Sequence, residues 1–202
     1  MEVINLGLID YKEALDIQLN YLEEVLIGTR DEVLLICHHP SVVTLGKKSS
    51  MSDLTGWKGK TYEISRGGKA TYHGPGQVVI YPILNLEKRM NDIYAYLRNL
   101  ELAMVKTLEE FGVKEAKGDP DNTGVWIRDH KIASIGIAIK RWITYHGLAI
   151  NIFYDKDAFK GINPCGLNVK VMTSLEEILG HKVERFTFEK QLSSNLLELL
   201  KI

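Results

Sequence analysis

A run of twelve residues, Arg66-Gly67-Gly68-Lys69-Ala70-Thr71-Tyr72-His73-Gly74-Pro75-Gly76-Gln77, is the densest collection of groups able to do chemistry in this sequence. Its glycines let a ligand approach the backbone where a Cβ would block it. Exposed N–H groups in such a turn can hold a carbonyl oxygen or an anion. Arg66, Lys69 and His73 add donors beside them. A solvated hairpin loop is the competing reading. The run lacks the Gly-Lys-Ser/Thr ending of a nucleotide-phosphate loop. It also lacks the spacing and strand–helix setting of a dinucleotide fingerprint.

Cys165 lies in Gly161-Ile162-Asn163-Pro164-Cys165-Gly166-Leu167. Proline before the thiol and glycine after it describe a rigid turn. A thiol there becomes a nucleophile when a nearby cation favours the thiolate; otherwise it is an inert turn cysteine. Cys37 ends the apolar run Val33-Leu34-Leu35-Ile36 and reads as a small core hydrophobe. Lys131 opens the run Lys131-Ile132-Ala133-Ser134-Ile135-Gly136-Ile137. At a strand start a lysine is ordinarily solvated; turned inward, it can depress a thiol pKa or deprotonate an amine. Ala133, Ser134 and Gly136 leave room for a ligand chain beside it. Of the six histidines, His73 and His146 each precede a glycine beside β-prone residues. None forms a zinc-type pair, so no metal site is expected.

The elements that must position these groups follow from pattern. Asp10 followed by Glu13 has the form of a capping box and opens a helix over 10–28. Ala14, Ile17, Tyr21, Val25 and Leu26 form its apolar side and Gly28 its stop. Strands are expected at 32–37 and 42–45, separated by His38-His39-Pro40. A loop over 47–60 precedes strands at 61–65 and 78–83, which flank the glycine-rich turn. Asn91 is expected to cap a helix over 91–111. Strands at 125–128, 131–140 and 143–153 follow, with tight turns at Asp129-His130 and Lys140-Arg141-Trp142. Thr173 and Glu176 open a short helix, and 187–200 forms the last. Without regular βαβ alternation, the class is α/β (α+β), with a mixed, largely antiparallel sheet and flanking helices.

A length of 202 residues suits one domain over 1–202. A net charge of −1 gives no global reason to expect nucleic acid. Two cysteines are too few for a disulfide framework and fit a reducing compartment. The N-terminus lacks a basic region followed by an apolar run, and nothing approaches the roughly 20 apolar residues of a membrane helix. A cytoplasmic protein is expected.

Together the motifs closely resemble the lipoyl(octanoyl) transferase family of the lipoate/biotin protein ligase fold. The twelve-residue run followed by Tyr81-Pro82 is similar to the family signature nearly residue for residue. Lys131-Ile132-Ala133-Ser134-Ile135-Gly136, Tyr145-His146-Gly147-Leu148-Ala149-Ile150-Asn151 and Asn163-Pro164-Cys165-Gly166 resemble its further conserved stretches, in order. The resemblance implies an octanoyl-[acyl-carrier-protein]:protein N-octanoyltransferase. Cys165 would carry an acyl thioester, and Lys131 would lower its pKa and handle protons. Arg66, Gly67, Gly68, Lys69, Ala70, Thr71, Tyr72, His73, Ser134, Ile135, Gly136, His146, Gly147, Leu148 and Ala149 would line the acyl site. The donor would be octanoyl-acyl carrier protein. The acceptors would be lipoyl domains of 2-oxoacid dehydrogenases and the glycine cleavage H protein. No ATP, metal, nucleic acid or membrane would be needed. The alternatives are an ATP-dependent lipoate/biotin-type ligase, which needs no cysteine, and a non-catalytic acyl-binding module.

Charge suggests where a donor docks. Between positions 47 and 69, Lys47, Lys48, Lys58, Lys60, Arg66 and Lys69 face only Asp53 and Glu63, an excess suited to an acidic carrier.

Overall fold

The computed structural model describes residues 1–89, 91–163 and 171–201. Its elements run β1 (Glu2–Leu8), α1 (Tyr11–Ile27), β2 (Val33–His38), β3 (Val42–Leu45), β4 (Lys60–Glu63), β5 (Ala70–His73), β6 (Gln77–Ile83), α2 (Ile93–Glu110), β7 (Ala116–Gly118), β8 (Gly124–Ile127), β9 (His130–Lys140), β10 (Ile143–Asn151), α3 (Leu175–Leu179) and α4 (Arg185–Leu199). Seven strands form one sheet in the order β1-β2-β6-β10-β9-β8-β7. All its neighbours are antiparallel except β1 and β2. A second sheet has the order β4-β3-β5, with β3 parallel to β4 and antiparallel to β5. The mixed, largely antiparallel α/β class is the one the sequence implied.

Helix α1 covers one face of the large sheet. Asp10 caps it by accepting the Lys12 amide rather than through a reciprocal box with Glu13, and Gly28 closes it at φ 76°. The fully buried stripe is Tyr11, Ala14, Gln18, Leu22 and Val25. That stripe is displaced around the helix from the apolar repeat, because the glutamine reaches a strand backbone described below. Ile17, Tyr21 and Leu26 pack at its margin against a core of Leu35, Val79, Ile83 and Ala149.

Helices α2 and α4 cover the other face. Tyr96, Leu100, Met104 and Leu108 meet Phe188, Leu192 and Leu196 over Leu34, Ile80 and Ile150. Each large side chain taken fully from water contributes about 1.5–3 kcal/mol. The sheet is therefore clamped between two apolar layers, and its strand ends can hold side chains in place.

Several local expectations change. The glycine-rich run does not join two strands of one hairpin, because β5 forms inside it and pairs with β3, while β4 and β6 lie in different sheets. Asp92, not Asn91, caps α2 by accepting from the Tyr94 and Ala95 amides, and Asn91 precedes it at φ 46°. Ser174 and Glu177, not Thr173 and Glu176, cap α3. The turn joining β8 to β9 is Arg128-Asp129, since Ile127 pairs with His130. Arg141 and Trp142, at φ 47° and 65°, join β9 to β10; two positive φ values match the twist of a two-residue hairpin.

Candidate active site

The small sheet lies over the large one, and a cleft opens between them. Along β5 successive side chains point to opposite sides. Thr71 and His73 turn into the cleft, whereas Ala70 and Tyr72 turn into the small sheet's own core with Phe159 and Ile162. The Gly67 N–H donates to the Ile137 carbonyl at 3.0 Å and ties the glycine-rich loop to β9. Below the loop lie Ser134, Ile135 and Gly136 of β9, then His146, Gly147, Leu148 and Ala149 of β10. Val79 and Tyr81 of β6 and Tyr11 of α1 complete the lining.

Arg66 is only 6% exposed. Its Nη2 donates to the Thr44 carbonyl at 2.8 Å and the Thr44 hydroxyl at 2.9 Å, and Nη1 donates to the Gly67 carbonyl at 2.9 Å. The guanidinium thus holds the loop in shape. Gly136 makes room for it, since a Cβ there would stand 2.6 Å from Arg66 Cδ.

Three imidazoles surround the cleft. His39 donates from Nδ1 to the Ile9 carbonyl and accepts at Nε2 from the Tyr81 hydroxyl, both at 2.8 Å. His73 donates from Nδ1 to Gln77 Oε1 at 3.2 Å. The Tyr11 ring lies against both, with centroids 5.3 Å from His39 and 6.0 Å from His73. His146 sits at φ 56°, and its backbone N–H donates to Gln18 Oε1 at 2.9 Å. Its Nε2 lies 3.2 Å from the Ser65 hydroxyl.

Burial pushes all three histidines down. For His73, the neighbouring His39 and Arg66 charges add to the effect. His146 is lowered to about 3 by burial and then by Arg66. At neutral pH the cleft is lined by uncharged rings. An ordinary histidine titrates near 6.5, so below that pH the unfolded chain binds protons that the fold refuses. Stability is therefore complete above about pH 6.5. It is lost as pH falls from there toward 3 for His146, at about 1.4 kcal/mol per pH unit. The melting temperature is expected to drop between pH 7.5 and 5. His146→Asn, which tolerates positive φ, should show a shallower drop; an unchanged slope would contradict this origin.

Comparison with known proteins agrees with this architecture. The model of the lipoyl protein ligase A/B catalytic domain matches residues 10–197. The octanoyltransferase of Bdellovibrio bacteriovorus is 41% identical across 96% of each chain. That of Clostridium kluyveri is 45% identical over 84% of this chain and 76% of its own. The chain belongs to the lipoyl protein ligase A/B family, in its octanoyltransferase branch. It is an acyltransferase. The bipartite lipoate protein ligase of Thermoplasma acidophilum, at 18% identity, superposes with a TM-score of 0.73 over 100% of this chain and 85% of its own. That likeness shows the shared fold.

Most of the residues singled out in this octanoyltransferase-branch sequence meet in the cleft: Arg66, Gly67, Gly68, Thr71, His73, Ser134, Ile135, Gly136, His146, Gly147, Leu148 and Ala149. Three do not. Lys69 is exposed on the loop, and Ala70 and Tyr72 follow the strand alternation away from it. Tyr72 donates to Asp155 Oδ2 at 2.9 Å and borders a separate hollow with Met172 and Thr173. Lys131, three residues before Ser134, is 3% exposed. Its Nζ donates to the Thr123 carbonyl at 2.8 Å and lies 5.3 Å from the Trp126 ring centroid. Cys165 lies outside the described residues. On either side of it in the chain, the Asn163 amide donates to the Asp53 carbonyl at 2.9 Å and the Thr173 amide to the Lys131 carbonyl at 3.1 Å.

Tyr11, Val79 and Tyr81 line the cleft without having been singled out as site residues. The available signal was Gln18, a polar residue within an otherwise apolar helix face that also carries Tyr11. Among the described residues, no group of three or more His, Cys, Asp or Glu is placed to hold a metal. No described helix is long and apolar enough to cross a membrane.

Proposed function

We propose that this acyltransferase moves an octanoyl or lipoyl group from acyl carrier protein to the Cys165 thiol, then to a lysine amine of a lipoyl domain, the first step of protein lipoylation. One observation carries the reading: the glycine-rich loop, β9 and β10 converge on a cleft with apolar walls from Val79, Ile135, Leu148 and Ala149. An unbranched chain matches those walls. Each buried methylene contributes about 0.8 kcal/mol, so cleft depth would select chain length.

The chemistry proceeds by two additions. The Cys165 thiolate adds to the donor carbonyl, and the tetrahedral oxyanion collapses with departure of the carrier thiolate, which takes up a proton. An uncharged lysine amine then adds to the new thioester and loses a proton, and the cysteine thiolate leaves as the amide forms. Backbone N–H groups of the loop would stabilise each oxyanion, by about 2.7–4 kcal/mol per donor in comparable acyl transfers. Lys131 would carry the protons. Thioester-to-thioester exchange is nearly isoenergetic and needs no ATP or metal; the more stable amide makes the second step downhill. The acceptors in this reading are lipoyl domains of 2-oxoacid dehydrogenases and the glycine cleavage H protein. The working unit is one domain over 1–202, and a cytoplasmic, reducing setting keeps the thiol free.

Intact-mass analysis tests the reading. Octanoyl carrier protein should leave one octanoyl group on the enzyme, mapping to Cys165. Free octanoate with ATP and magnesium should yield no amide. Efficient amide formation in that mixture would overturn the proposal in favour of an adenylate-forming ligase.

The donor's docking surface is narrower than charge alone suggested. Arg66 is buried, and Lys60 Nζ pairs with Asp10 Oδ2 at 2.8 Å. Lys47, Lys48, Lys58 and Lys69 stay exposed. The Lys47 and Lys48 amides donate to the Arg66 and Gly68 carbonyls, which sets both residues against the cleft rim. Replacing Lys47 and Lys48 together by glutamate is expected to raise KM for an acidic carrier roughly tenfold, with less effect in high salt. Turnover of a small octanoyl thioester should not change. Equal loss with both donors would count against docking at this rim.

A further inference from the structure

One peptide group lies between two buried charges. The Thr123 carbonyl accepts from Lys131 Nζ at 2.8 Å, and the N–H of the same peptide, that of Gly124, donates to Glu101 Oε1 at 2.8 Å. Glu101 projects from α2 with its side chain 3% exposed, and its other oxygen pairs with Arg98. The rest of the loop is already fixed. Asp119 accepts the Asp121 and Asn122 amides, and the Asn122 carbonyl accepts from Trp126 Nε1. Gly124 stands at φ 138°, where a Cβ would lie 2.7 Å from Lys131 Cε. The lysine therefore reaches its carbonyl across a glycine.

A carboxylate behind the N–H and an ammonium before the C=O polarise an amide in the same sense, so the two hydrogen bonds strengthen each other. Burial raises the Glu101 carboxyl, while the Gly124 N–H, Arg98 and Lys131 favour its charged form. A neutral amide side chain could hold the same N–H without the desolvation cost of an ion. The charge has Arg98 as its direct partner, and Lys131 is a second cation, held across the peptide.

We propose that Glu101 is a positioning residue of the transfer reaction: it fixes the Thr123–Gly124 peptide plane so that its carbonyl aims the Lys131 ammonium at the reacting atoms. This rests on the reading of Lys131 as the proton carrier.

The test is steady-state transfer by the full chain from octanoyl carrier to a lipoyl domain, with melting temperatures, for Glu101→Gln, Glu101→Asp and Lys131→Met. Glutamine keeps an acceptor for the Gly124 N–H and removes the charge. It is expected to lower kcat roughly tenfold, the difference between a charge-assisted hydrogen bond and a neutral one. Both KM values should stay within about twofold, and the melting temperature should hold. Aspartate keeps the charge one methylene short and should recover part of the rate. Wild-type kcat in Glu101→Gln, or a loss that follows a lowered melting temperature, overturns the proposal. If Glu101→Gln does not fold, Glu101→Asp decides: reduced kcat with unchanged KM supports it, and an unimpaired enzyme ends it. Lys131→Met separates the two ideas. Full turnover there refutes the role of Lys131 itself, whereas a dead Lys131→Met beside a normal Glu101→Gln refutes only Glu101.

Discussion

Cys165→Ala is expected to reduce octanoyl transfer by about 10⁴-fold or more, while leaving affinity for the acyl carrier intact. A covalent route divides one hard amide-forming step into two easier ones, and its nucleophile cannot be replaced by positioning. Where nucleophiles have been removed from other acyl-transfer enzymes, the remaining acceleration comes from binding and oxyanion donors and is far below that of the intact site. Cys165→Ser adds information. A hydroxyl without a strong base is a poor nucleophile, and an ester formed on it would pass its acyl group on slowly. Rapid-quench kinetics with intact mass should show either no adduct or a slowly discharging octanoyl ester. Full turnover by Cys165→Ala would remove the thioester from the mechanism.

Lys131→Met should lower kcat by about 10²–10⁴-fold, the range for loss of a positioned proton carrier. Methionine has a similar length and suits a buried site beside Trp126. The hydrogen bond to the Thr123 carbonyl disappears, but so does the cost of keeping an ammonium out of water. The melting temperature is therefore expected to move little, and KM for either substrate should hold. Lys131→Arg refines the result. A guanidinium keeps the charge but does not release a proton at neutral pH. Wild-type activity in that variant would restrict the lysine to electrostatics and exclude proton transfer.

Much of the site could be read from residue order because its parts are contiguous: a glycine-rich run, three consecutive residues of β9 and four residues of β10. What could not be read depends on partners distant in the chain. Arg66 looks like a surface charge until Thr44, twenty-two positions earlier, is found against it. Lys60 leaves the docking patch because Asp10, fifty positions away, neutralises it. Glu101 sits in an amphipathic helix pattern where a solvated carboxylate would serve equally well, and only the loop before β8 reveals its task. Strands β1, β5 and β7 escaped notice for a simpler reason. They are short or glycine-containing and are stabilised by neighbouring strands more than by their own propensity.

The alternation along β5 makes the chain's length there as constrained as its composition. A strand slipped by one residue exchanges its two sides. Deleting or inserting one residue between positions 67 and 73 would turn Ala70 and Tyr72 toward the cleft. Thr71 and His73 would then be driven against Phe159 and Ile162. Substitutions in this strand can be judged one side chain at a time, but a change of reading register cannot.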